Sequence, residues 1–171
     1  MTQSNDIARE DGEVETVGHD TRQARSAARL AAVQALYQME LASRGAEAVI
    51  REFLDHRFGH EIADGLALEA DSEFFAALVR GAVAEQRNID PLIQAHLAAN
   101  WKLSRLDSIL RALFRVASFE LLKRPDVPVR AVINEYVDVA HAFFSGEEPA
   151  FVNGALDAIA RDARRAEMGG A

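Results

Sequence analysis

Arg22, Arg25 and Arg29 stand three and four residues apart, a spacing that puts all three on one side of a helix. Guanidinium groups in such a row bind phosphate through paired N–H donors and stack on nucleobases. Val33, Leu36 and Tyr37 continue roughly the same side one and two turns later, so a basic stripe runs into an apolar one. This pattern predicts a helix whose first turns overhang the core, with the arginines in solvent and Tyr37 offering a stacking face at the patch edge. A solvated helix start followed by a core tyrosine fits the same residues. Three arginines oppose the positive end of the helix dipole, however, a mild cost that a plain helix start leaves unexplained.

Phe151-Val152-Asn153-Gly154 forms a second candidate, following the loop from Ser145 to Ala150. Glycine permits close backbone approach, asparagine both donates and accepts, and phenylalanine can stack on a base. Phe151 as a core residue, with Asn153 tying a helix start to its neighbour, is an equally physical reading. Arg111 and Arg115 lie one helical turn apart. They read as solvated charges, as intramolecular partners of Glu135 or Asp138, or as part of a protein interface. His56 and His60 have the i, i+4 spacing of helical metal ligands. Gly59 between them weakens the helix and no motif supplies a third ligand, so a surface pair is expected and no metal is assigned. The chain carries no phosphate-binding glycine loop, dinucleotide fingerprint or nucleophile elbow, and nothing in it argues for an enzyme or a cofactor.

Helices must position these residues. Apolar side chains make up 49% of the 171 residues and aromatics only 7%, with four prolines, a balance that favours packed helices over sheet. The pattern predicts seven helices: about 21–43, 47–58, from an N-cap at Asp71, from Asp90-Pro91, about 104–123 behind a Ser104/Asp107 capping box, 129–143, and one after Pro149. The fifth carries a wide stripe of Leu106, Ile109, Leu110, Leu113, Val116, Ala117 and Leu121, which suggests a central helix touched on several sides. Gly59 to Ala70 reads as a loop punctuated by glycine. The expected class is a compact all-α bundle spanning 21–165.

Residues 1–20 hold six acidic residues against Arg9, a net of −5 out of the chain's −8, which leaves −3 on the remainder. They are expected to form a disordered acidic tail able to fold back on the neighbouring arginines, and residues 166–171 a disordered end. A mildly acidic body attracts phosphate weakly, so tight RNA binding calls for a basic partner. The absence of cysteine excludes disulfides and thiol chemistry. With no secretory leader and no apolar run of membrane-spanning length, a cytoplasmic protein without membrane contact is expected.

Four stretches carry a family resemblance: A-V-Q-A-L-Y (Ala32 to Tyr37), R-A-L-F-R-V-A-S-F-E-L-L-K-R-P-D-V-P (Arg111 to Pro128), V-R-A-V-I-N-E-Y-V-D-V-A (Val129 to Ala140) and F-V-N-G-A-L-D (Phe151 to Asp157). Together they resemble the transcription antitermination factor NusB family over roughly residues 22–165, least between Gly45 and Glu73. The resemblance implies two helical halves and a non-enzymatic adaptor. Such a protein binds boxA-like single-stranded RNA together with the ribosomal protein NusE, within an RNA polymerase antitermination complex that supports ribosomal RNA synthesis. It implies RNA contact by Arg25 and Arg29, with Arg22 one turn earlier, and places Phe151 beside the RNA face. It also places the half bearing Arg111 and Arg115 near NusE, and leaves a homodimer open. Ser26, Ala27 and Ala150 stand where the family often has basic residues, and Glu147 and Glu148 repel phosphate, so weak RNA affinity is expected of the protein alone. Two other readings are a protein-only helical scaffold and an accessory domain like the N-terminal part of ribosomal RNA cytosine methyltransferases. The chain carries no Rossmann-like glycine motif, so a catalytic half is not expected here.

Overall fold

The computed structural model describes the backbone of residues 11–58, 61, 62, 66, 67 and 70–169, and the side chains of 21–58 and 70–169. Seven α-helices are present among them: α1 (Asp11–Ala42), α2 (Ala46–His56), α3 (Ser72–Ala84), α4 (Gln86–Ala95), α5 (Ser108–Lys123), α6 (Val129–Phe143) and α7 (Glu148–Ala163). A 3-10 turn over Leu103–Arg105 precedes α5. Two short strands, β1 (Glu61–Ile62) and β2 (Leu66–Ala67), pair antiparallel in the segment expected to be a loop. His60, Gly59 and Gly65 lie outside the described residues.

The helix starts follow from local chemistry. Asp71 caps α3 by accepting the Phe74 N–H at 3.0 Å, which leaves Phe74, Phe75, Leu78, Val79 and Ala82 to face inward. Asp107 caps α5, accepting from the N–H groups of Ile109 and Leu110. Ser104 belongs to the preceding 3-10 turn, so the expected capping box is replaced by a single-residue cap. Pro91 does not open α4 but lies inside it. Ile89 and Ile93 are buried one turn apart and draw the preceding turn into helix. Pro91 is exposed and has no N–H to give the Arg87 carbonyl one turn back.

The expected boundary of the acidic tail also moves. α1 begins at Asp11, so the backbone of residues 11–20 is helical. A continuous helix carries these residues ahead of Arg22 along its axis instead of doubling them back onto it. At the other terminus, Glu167 accepts the Val129 N–H at 2.9 Å and Met168 packs on the core. Residues 166–169 are therefore tied to the bundle instead of fraying.

α5 is the hub, as its wide stripe predicts: α1, α3, α4, α6 and α7 all pack on it. Its C-terminal end is closed by Arg164, whose buried guanidinium donates to the carbonyls of Glu120, Leu121, Arg124 and Val127. A cation there adds donors to the carbonyls that crowd the helix end and complements the helix dipole. Glu167 accepts from Arg164 as well, so one ion pair joins the end of α5 to the start of α6.

Candidate nucleic-acid interface

The three arginines of α1 share a side, but the bundle buries them to different depths. Arg22 is exposed, Arg25 is half-buried and Arg29 is only 4% exposed. The gradient follows the helix axis, because each residue adds about 1.5 Å of advance into the body. Arg29 is therefore not the solvent-facing residue that the spacing suggests. Its Nε and Nη2 donate to Glu120 at 2.6–3.1 Å, and Glu135 lies 3.7 Å from its Nη1. The Tyr136 hydroxyl donates to Glu120 at 2.7 Å, and Ser26 donates to Glu135 at 2.7 Å.

This network is nearly dry, since Glu120 and Tyr136 are fully buried. Burial alone would lower the Arg29 pKa, but the hydrogen bonds and charge of Glu120 reverse that and hold it above its ordinary value. Burial, with Glu120 adding to it, pushes the Tyr136 phenol well above its own. The pattern of shifts is that of a structural ion pair locking α1 to α5 and α6.

Arg25 lies over the Phe74 ring, 4.6 Å from its centroid, and 3.9 Å from the Asp71 carboxylate. Its head remains open to solvent, as does the whole of Arg22. Tyr37 lies twelve residues beyond Arg25, or about 18 Å along the axis. It is half-buried in a groove of about 410 Å3 shared with Val33, Leu41, Ile109 and Phe143. The structure thus separates Tyr37 from the arginine end.

Phe151 is half-buried between two other rings. Trp101 lies 5.7 Å away at 35° and Phe114 5.7 Å away edge-on at 87°. Trp101 is 52% exposed, and Asn153, two residues after Phe151 on α7, is exposed. These residues make an aromatic patch around α7 and α5, apart from the arginines of α1. Trp101 was not identified from the sequence because its partner comes from a helix fifty residues later.

Arg111 and Arg115 are both engaged inside the bundle. Arg111 pairs with Glu40 and donates to the carbonyls of Leu103, Ser104 and Leu106. Arg115 grips Asp90 with two bonds at 2.9 and 3.0 Å. Both arginines have intramolecular partners, and these are Glu40 and Asp90, not the Glu135 or Asp138 that the spacing suggests. The edges of both arginines line a groove of about 450 Å3 together with Met39, Glu40 and Gln86.

No group of three or more potential metal ligands occurs among the described residues, and no helix there is long and apolar enough to cross a membrane. The open groups among the candidate residues are guanidinium and aromatic, carried on an all-α bundle. These features define an all-α helical protein whose open arginines and rings suit contact with another macromolecule. The NusB family model matches residues 26–161. Transcription antitermination protein NusB of Caulobacter vibrioides is 56% identical, over 83% of this chain and 95% of that one. The protein of the same description from Maricaulis maris is 56% identical, over 84% and 90%. Among solved structures, T. maritima NusB superposes with a TM-score of 0.70 at 29% identity, covering 85% of this chain and 96% of that one. A crystal structure of antitermination factors NusB and NusE in complex with dsRNA superposes at 0.63 with 26% identity, covering 80% and 96%. The chain belongs to the NusB family.

Proposed function

We propose that this protein is a non-enzymatic, cytoplasmic RNA-binding adaptor of transcription antitermination. It binds boxA-like single-stranded RNA jointly with the ribosomal protein NusE and passes that complex to RNA polymerase during ribosomal RNA synthesis. The observation that carries this reading is the match, at 26% identity over 80% of the chain, to a NusB crystallised with NusE and dsRNA; the single-stranded boxA preference is what the family resemblance implies. In this reading Arg22 and Arg25 take backbone phosphates from the open end of α1, and Phe151 with Asn153 meets an unpaired base. Tyr37 contributes at a separate point some turns away. Arg29 serves by fixing the helix that carries the other two.

Charge explains why a second protein is needed. The chain carries a formal −8, and two open arginines supply only modest counterion release. A basic ribosomal protein alongside would enlarge the positive surface and couple the two binding events. Charge reversal tests the residues: Arg22→Glu with Arg25→Glu should abolish assembly on RNA while leaving the melting temperature within a few degrees. Unchanged assembly on RNA would remove α1 from the interface.

A further inference from the structure

Phe74 is the centre of an arrangement of which the proposed RNA contacts use only Arg25. The guanidinium carbons of Arg25, Arg29 and Arg124 lie 4.6, 5.0 and 5.3 Å from its ring centroid. Three cations around one buried ring benefit from its negative face. Arg29 is neutralised by Glu120. The side chains of Arg25 and Arg124 stay 34% and 27% exposed, and they come from different elements, α1 and the residue that ends α5. Both are held on a fixed ring, so less side-chain freedom is lost when they bind a ligand.

Their present partners are open to solvent. Arg25 reaches Asp71 only at 3.9 Å, and Asp71 is also engaged with the Phe74 N–H. Arg124 donates from Nε and Nη2 to the two oxygens of Asp126 at 3.1 and 3.2 Å. That fork is the one a guanidinium offers to a phosphate. Asp126 is 56% exposed, so salt screens its hold on Arg124 and a competing anion can reach the fork. Its carboxyl is held below the usual range chiefly by the hydrogen bonds from Arg124, with Arg25 adding to the effect, so both arginines act on one carboxylate position.

We propose that Arg124 and Arg25 form a two-guanidinium clamp for an RNA backbone phosphate, mounted on Phe74, and that Asp126 occupies the Arg124 fork until RNA displaces it. The proposal rests on the RNA-adaptor reading above and adds to it a residue from the α5–α6 corner and an internal competitor. It accounts for the modest RNA affinity expected of the protein alone, because the clamp is already half filled by a carboxylate.

The test measures RNA affinity of the full chain in complex with the ribosomal protein across salt concentrations. Wild type is compared with Arg124→Gln, Asp126→Asn and Arg25→Gln. Arg124→Gln should weaken binding several-fold and reduce the steepness of log K against log salt by about 0.7, the loss of one phosphate contact to a single strand. Asp126→Asn should tighten binding several-fold at low salt, with the gain fading as salt rises. Unchanged affinity and slope for Arg124→Gln, while Arg25→Gln weakens binding, would overturn the clamp and leave the adaptor reading standing. Should Arg124→Gln fail to fold, Asp126→Asn decides, and no gain at low salt overturns the proposal. A wild-type complex that bound no RNA would overturn both.

Discussion

Replacing Arg29 with alanine should destabilise the protein severely, because of what it leaves behind. Glu120 is fully buried and loses three hydrogen bonds at 2.6–3.1 Å, keeping only the Tyr136 hydroxyl at 2.7 Å. Removing one partner of a buried ion pair costs about 3–5 kcal/mol, since the remaining charge stays without compensation. For a domain of this size, 1 kcal/mol moves the melting temperature by about 2–4 °C, so the fall should be roughly 6–20 °C. Arg25→Ala, which removes a half-exposed contact, should cost under about 1 kcal/mol. Urea and thermal unfolding followed by circular dichroism measure both. The double variant Arg29→Ala/Glu120→Gln should cost less than the sum of its parts, because the stranded charge is gone. An Arg29→Ala protein as stable as wild type that has lost RNA binding would refute the burial argument and restore Arg29 as a phosphate ligand.

Gly81→Ala, made in the interior of α3, would ordinarily gain about 1 kcal/mol in helix propensity. Here an added Cβ would overlap the buried Phe119 ring, and overpacking costs about 1–3 kcal/mol, so urea unfolding should show a net loss. Gly154→Ala meets open space on α7 and should raise the urea midpoint by the equivalent of about 0.5–1 kcal/mol. The Glu40 carboxyl is held below its usual range by hydrogen bonds from Arg111. Its contribution is therefore complete above the unfolded glutamate pKa of about 4.3 and disappears as pH falls through the lower folded value. Unfolding curves at pH 6 and pH 3 should show Glu40→Gln losing less stability on acidification than wild type.

Most of the fold is readable from residue patterns, because its signals are local. The Asp71 cap, the wide apolar face of α5 and the proline pair before α6 each predict the element observed. Pro91 and Ser104 mislead for a stated reason: both carry helix-start chemistry, but burial of Ile89 and Ile93 and the Asp107 cap set the boundaries instead. The site is less legible, because solvent access is a property of the whole bundle. Arg25 and Arg29 are equivalent by spacing, and only the packing of α3, α5 and α6 separates an open guanidinium from a buried one. Glu120 did carry a signal, as a lone acid in the apolar run F-E-L-L, which is where a buried pair is to be sought. Trp101 with Phe151, and Arg124 with Arg25, are tertiary pairs that no local spacing reveals.

Joint recognition of RNA is the claim on which the rest depends. Its most direct test is titration of a boxA-like single-stranded RNA, against a scrambled and a duplex control, with and without the ribosomal protein. The account predicts tight, sequence-selective binding only when both proteins are present, and weak binding by this protein alone. Equal affinity for boxA-like and scrambled RNA in the presence of the partner, or no effect of the partner on RNA binding, would contradict it.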